Sequence, residues 1–205
     1  MKKLLLPILL ILSILPSAWA EDFTEGVDYT TIENPVKTSN SDKIVVTELF
    51  WYGCPHCFRF EPYAQQWKKT IAADVVFEQI PSTLNPSWAI HARAYYALQQ
   101  IGQLDLVHAR IFNAIHIKNK RLTNRESIAN FVAQFGVDKK KFKAAFNSFP
   151  VETLLRKNGK KERLYGISGV PSVVVNGKYI TSGSHAGSYS RMLKIMDHLV
   201  ALERL

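Results

Sequence analysis

The chain contains two cysteines, Cys54 and Cys57, and between them lie only Pro55 and His56. Two thiols at this spacing can interconvert between a dithiol and a disulfide. The reactive form is the thiolate, so the chemistry depends on what stabilises negative charge on sulfur. Upstream, residues 44–52 read as a buried strand, and downstream residues 58–67 read as a helix. The pair therefore stands where a strand turns into a helix N-terminus, and the unpaired first-turn N–H groups and the helix dipole there favour an anion. Pro55 suits the first helical turn, where a missing N–H costs nothing. His56, in the same turn, can stabilise a Cys54 thiolate by its charge or a donated hydrogen bond, or can be a solvated helix residue. A structural disulfide is the alternative use of the cysteines, but so small a loop constrains the unfolded chain little. A structural zinc site is another, but it takes four Cys or His ligands, and the six histidines are scattered.

Length and composition frame that pair. Of the 205 residues, the first twenty have the form of a secretory signal peptide. Met1-Lys2-Lys3 is basic, residues 4–15 are apolar, and Ala18-Trp19-Ala20 is a cleavage signal. The apolar run is shorter than the roughly 20 residues that a bilayer requires. Cleavage after Ala20 and export into an oxidising compartment are expected. With no other cysteines, the chain does not use disulfides as a framework, and the pair is free for chemistry. The net charge of +9 is spread over mixed clusters such as Lys160-Lys161-Glu162-Arg163, which read as solvated helix faces rather than a nucleic-acid surface.

The elements that must position the pair follow in order. Residues 29–32 are a candidate short edge strand and residues 44–50 a strong strand, interrupted by Glu48. Glu48 is either an outward-facing residue or a buried carboxylate beneath the cysteines. Pro62 is expected to kink the helix that follows. Residues 74–80 alternate as a second strand ahead of Pro81, which gives a strand-helix-strand unit with a parallel pair. Residues 82–150 turn helical: Ser87 is a candidate cap, Thr123-Asn124-Arg125-Glu126 a candidate capping box, and Asp138 a further cap. A helix over 151–165 ends at Gly166. Asn176-Gly177 between apolar runs predicts a hairpin, and residues 190–205 an amphipathic closing helix.

This order, α/β with about seventy helical residues set inside it, is that of a thioredoxin fold with an inserted all-helical domain. With Cys54-Pro55-His56-Cys57, Val170-Pro171 and Val175-Asn176-Gly177-Lys178-Tyr179, the chain closely resembles the DsbA family of periplasmic thiol:disulfide oxidoreductases over essentially all of its length after residue 20. The domain boundaries expected are a cleaved segment 1–20, a thioredoxin-like first part 21–81, the helical insertion 82–150 and a second part 151–205. The resemblance implies a cis Pro171 in a loop facing Cys54, with the Val170 backbone pairing to an extended substrate segment. It implies that Glu48 is the family's buried acid. The basic partner that some members place on the next strand is not evident, because Phe77, Glu78 and Gln79 occupy that stretch.

The resemblance also implies the reaction. A substrate thiolate attacks Cys54 of the disulfide, Cys57 leaves, and a second substrate thiolate resolves the mixed disulfide. A well-stabilised thiolate favours the dithiol and makes the disulfide a strong oxidant, a property for which DsbA is itself the established example. The implied partners are unfolded, newly exported proteins with free cysteines and a membrane quinone-linked re-oxidant of the DsbB type. The chain is expected to be monomeric, periplasmic and free of cofactor, metal and nucleic acid. The other readings are an isomerase or reductase of the same fold, a non-catalytic peptide-binding chaperone, and a metal-binding module. Residues 21–42 are too short for the dimerisation domain that isomerases of this fold carry.

Overall fold

The structure, a computed structural model, describes residues 22–205, so the expectation for residues 1–20 lies outside the described residues. Two parallel strands, β2 (Ile44–Phe50) and β3 (Val75–Pro81), are joined through helix α1 (Pro55–Lys68). The hairpin β4 (Ser172–Val175) and β5 (Tyr179–Ser182) adds antiparallel to β2. The short edge strand β1 (Thr30–Thr31) pairs with β5 and closes a five-stranded sheet in the order β1-β5-β4-β2-β3. β2 is therefore internal, with neighbours on both sides, and six of its seven residues are buried. That burial is why its sequence is apolar on both faces rather than alternating. Over one face lie Phe60, Ala64 and Trp67 of α1 and Met192 and Ile195 of α8 (Tyr189–Leu202).

Between β3 and helix α6 (Phe149–Tyr165) come α2 (Pro86–Gln100), α3 (Leu104–His116), α4 (Arg125–Ala133) and α5 (Lys139–Phe146). Their apolar stripes, including Ile111, Phe112, Ile128 and Phe142, form a core continuous with Phe50, Tyr52 and both cysteines. The helical block thus packs directly against the end of β2 that carries the candidate chemistry.

Several element ends differ from the sequence expectation, for local reasons. β3 runs on through Pro81, which pairs with Phe50 and needs no N–H to do so. Asn85, not Ser87, caps α2: its backbone is extended and its side chain accepts from Trp88 N at 3.1 Å. The capping box of α4 is Asn124 with Ser127, one residue later than Thr123 with Glu126. α6 starts at Phe149 behind a Ser148 cap, with Pro150 in its first turn. Pro62 lies inside α1, which stays one helix over its 14 residues. A short helix, α7 (Gly183–Ala186), precedes α8, which Ser188 caps.

The Asn176-Gly177 turn is as expected: both residues have positive φ, 50° and 67°, as a type I′ turn demands. A Cβ on Gly177 would stand 1.9 Å from the Val36 carbonyl oxygen. Gly177→Ala is therefore expected to lower stability by about 2 kcal/mol, through positive-φ strain and a clash with backbone. A denaturant midpoint at or above the parent's would refute this.

Candidate redox site

Cys54 is the N-cap of α1, with φ −82° and ψ 117°, and Pro55 opens the first turn. At the cap, first-turn N–H groups point at whatever precedes the helix, and here that is sulfur. Cys57 N donates to Cys54 Sγ at 3.3 Å. Cys57 lies one turn inward and is fully buried, while Cys54 retains 7% exposure and both are free thiols. The outer sulfur is thus itself largely covered, by the loop before β4. In that loop the Val170–Pro171 peptide bond is cis, and Cys54 Sγ lies 3.3 Å from the Val170 carbonyl oxygen, to which its protonated form donates. The structure thereby brings together Cys54, Cys57, Val170 and Pro171 across 116 residues of chain.

The electrostatics separate the two thiols. A hydrogen bond from the Cys57 thiol is the largest influence on Cys54; with the N–H groups of Cys57 and His56 and the His56 charge it outweighs burial and brings the Cys54 pKa down to about 6. Burial, and then the adjacent Cys54, push Cys57 up. At neutral pH Cys54 is thus the thiolate and Cys57 the protonated donor beside it.

His56 is exposed, and its Nδ1 lies 3.1 Å from Arg59 Nη2 and 3.4 Å from Tyr189 OH. Its imidazole charge is the smallest of the influences on Cys54, and its backbone N–H acts whatever the side chain. His56→Ala is accordingly expected to raise the Cys54 midpoint by less than about one unit. Thiolate absorbance near 240 nm against pH measures it, and a rise of two units or more would show that the side chain dominates.

Glu48 resolves to the buried alternative. Its residue is fully buried, on the β2 face that α1 covers, because period two puts it on the same side as Val46. Burial first, and then the nearby Glu61, hold its carboxyl well above the usual range. The residue beside it on β3 is Gln79, in register, and Gln79 Nε2 donates to Glu48 Oε2 at 2.9 Å. The strand neighbour is thus an amide and not a cation.

Sequence reasoning missed three histidines around Tyr52, the residue that leads into Gly53 and Cys54. His108 Nδ1 is 2.7 Å from the Tyr52 hydroxyl, His116 Nε2 is 2.8 Å from the Tyr52 carbonyl, and the His91 ring stands edge-on to the Tyr52 ring at 6.1 Å. The signal was present at His108, which lies in the apolar stripe of α3 between Leu104 and Ile111. Among the aromatic side chains near the pair, Tyr52 is core, Trp51 and Trp88 stack on each other at 4.7 Å, and Phe58 stacks on His116 at 4.8 Å.

This geometry has close relatives. Residues 64–187 match the model of the DSBA-like thioredoxin domain. The thiol:disulfide interchange protein DsbA of Pseudomonas aeruginosa is 39% identical, over 100% of this chain and 98% of its own. The chain belongs to the DSBA-like thioredoxin family. DsbA of Burkholderia cepacia is 37% identical over 98% of this chain and 96% of its own. The crystal structure of P. aeruginosa DsbA superposes with a TM-score of 0.86 at 40% identity, covering 89% of this chain and 95% of that one. DsbA from Xylella fastidiosa gives 0.81 at 32%, covering 86% and 95%. The fold is therefore the DsbA form of the thioredoxin fold, and the chain is a thiol:disulfide oxidoreductase of the DsbA type. The family-model match begins after Cys57, and the full-length relatives extend the likeness across the cysteine pair.

Proposed function

We propose that this protein oxidises pairs of cysteines in newly exported proteins by donating a Cys54–Cys57 disulfide. The observation that carries this direction is the asymmetry of the pair: Cys54 is held near pKa 6 at a helix N-terminus while Cys57 is buried and kept protonated. A thiolate stabilised by folding favours the dithiol, and so makes the disulfide oxidising. In the reaction a substrate thiolate attacks Cys54 Sγ and the Cys54–Cys57 bond breaks. Cys57 leaves and takes up a proton. A second substrate thiolate then attacks the substrate sulfur of the mixed disulfide. The substrate loses two electrons and two protons overall, the protein gains the two electrons, and Cys54 departs as the stabilised thiolate.

The cis loop supports the substrate role given to Val170 and Pro171, since an extended segment bound there would lie against Cys54. Glu48 supports the pair from below. The reading includes periplasmic action after cleavage at Ala20, a monomer, and re-oxidation by a quinone-linked membrane partner of the DsbB type. Among the described residues no helix is long and apolar enough to cross a membrane.

The test is the equilibrium of the cysteine pair with a glutathione redox buffer. The expected potential lies well to the oxidising side of thioredoxin's, which is about −270 mV, and toward that of DsbA, the established example of this poise at about −120 mV. A value near thioredoxin's would point instead to a reductase.

A further inference from the structure

Two buried carboxylates near the cysteine pair share one amide: Gln79 Nε2 donates to Glu48 Oε2 and to Glu61 Oε2, at 2.9 Å each. Two anions in so closed a site repel and are poorly solvated, so the pair holds a proton. The surroundings of the two acids are unequal. Glu61 Oε1 also accepts from Gln65 Nε2 at 2.8 Å and lies 3.3 Å from His108 Nε2. Glu48 Oε1 has no hydrogen-bond partner among the described residues, and His108 Nε2 meets Glu61 as an ion-pair contact rather than a hydrogen bond. The Tyr52 hydroxyl, 2.7 Å from Nδ1, fixes the His108 ring so that Nε2 is turned to Glu61.

We propose that His108, reaching in from the helical block, is a positioning residue for the redox pair: its Nε2, 3.3 Å from Glu61 Oε1, keeps that carboxylate ionised and so leaves the shared proton on Glu48, on the cysteine side. The neutral Glu48 then adds no negative charge under the Cys54 thiolate. Although burial raises Glu61, the nearby His108, with Gln79 and Gln65, holds it below the usual carboxylate range, while Glu48 is held above it. An ionised Glu48 raises Cys57, and the two sites are therefore linked.

Glu61 and His108 also line an open cleft of about 810 Å³, with room for water, so the carboxylate pair can exchange protons with solvent on this side. The other groups facing His108 are Tyr95 from α2, with ring centres 5.9 Å apart, and, on its own helix, Asp105. Across the cleft stand Lys68, which is exposed, and Glu78, which pairs with Lys161 at 3.5 Å.

The proposal requires only that Cys54 and Cys57 be the redox centre. The experiment is a double-mutant cycle of His108→Gln and Glu61→Gln, reading the glutathione equilibrium and the Cys54 thiolate titration from pH 5 to 9. In the parent background His108→Gln is expected to raise the Cys54 midpoint by about half a unit and shift the pH 7 equilibrium roughly threefold toward the disulfide, the change that half a unit represents. In the Glu61→Gln background the same substitution is expected to do neither. No shift in the parent background, or an equal shift in both, overturns the proposal and leaves the interchange activity standing. Failure of the parent to exchange with glutathione at all would instead sink the redox reading itself. Should His108→Gln not fold, His108→Asn takes its place in the same cycle, with the same outcomes.

Discussion

Cys57→Ala protein is expected to accumulate stable mixed disulfides with substrates that carry a single cysteine, whereas Cys54→Ser is expected to lose interchange completely. The two sulfurs are three residues apart but differ in access and charge. Cys54 caps the helix, touches the Val170 carbonyl and is held as a thiolate near pKa 6. Cys57 is fully buried and its thiol is pushed up by burial. A substrate can therefore reach only Cys54, and without that sulfur no mixed disulfide forms. Without Cys57 the complex forms but loses the internal thiol that would release the substrate by re-forming the Cys54–Cys57 bond. Non-reducing electrophoresis after incubating oxidised Cys57→Ala, carrying a glutathione cap on Cys54, with an unfolded protein that has one cysteine measures the trapped species. Trapping of equal amounts by Cys54→Ser would show that the inner sulfur is accessible. Retention of activity by Cys54→Ser would restore the peptide-binding chaperone reading.

The dithiol form is expected to be more stable than the disulfide form, by a margin that grows between about pH 6 and pH 8.5. An unfolded thiol ionises near 8.5, and folded Cys54 near 6. The folded value is the lower one, so ionisation favours the fold. The contribution is complete above the unfolded value and disappears as pH falls through the folded one. It amounts to about 1.4 kcal/mol at pH 7 and approaches about 3 kcal/mol near pH 8.5. The disulfide form has no thiolate and gains nothing from this linkage. Its compensation from constraining the unfolded chain is small, because the loop closed by Cys54 and Cys57 is so short. Cys57 opposes the trend only above its ordinary range, since it is the folded thiol that resists ionisation there. Guanidinium unfolding of both redox forms at pH 5.5, 7 and 8.5 measures the gap. A gap that does not change with pH would mean that the Cys54 thiolate is not what separates the two forms.

The elements near the site were legible where the signal is local. A strand ending at Phe50, a Pro in the first turn, two cysteines one helical turn apart and an Asn-Gly turn each act through backbone conformation, which a short segment carries with it. Helix starts were less well placed, at α2, α4 and α6, because several polar residues near each start can cap, and the choice among Asn85, Ser87 or Ser148 depends on which backbone is extended in the folded chain.

By itself the sequence determined the chemistry: a redox pair at a helix N-terminus, and with it the family. Tertiary structure alone decided the surroundings of that pair. Whether Glu48 faces water depends on α1 covering that face of β2, which no window around Glu48 encodes. Its companions come from α1, β3 and α3, so that Glu61, Gln79 and His108 meet it only after the helical block has packed against the sheet. The next strand carries no basic partner, as expected: Gln79 takes that place, and the imidazole nearest the acids arrives from a helix some thirty residues further on. Charges in an interior interact through space and are stabilised or penalised by burial, and neither separation nor burial is a property of the linear chain.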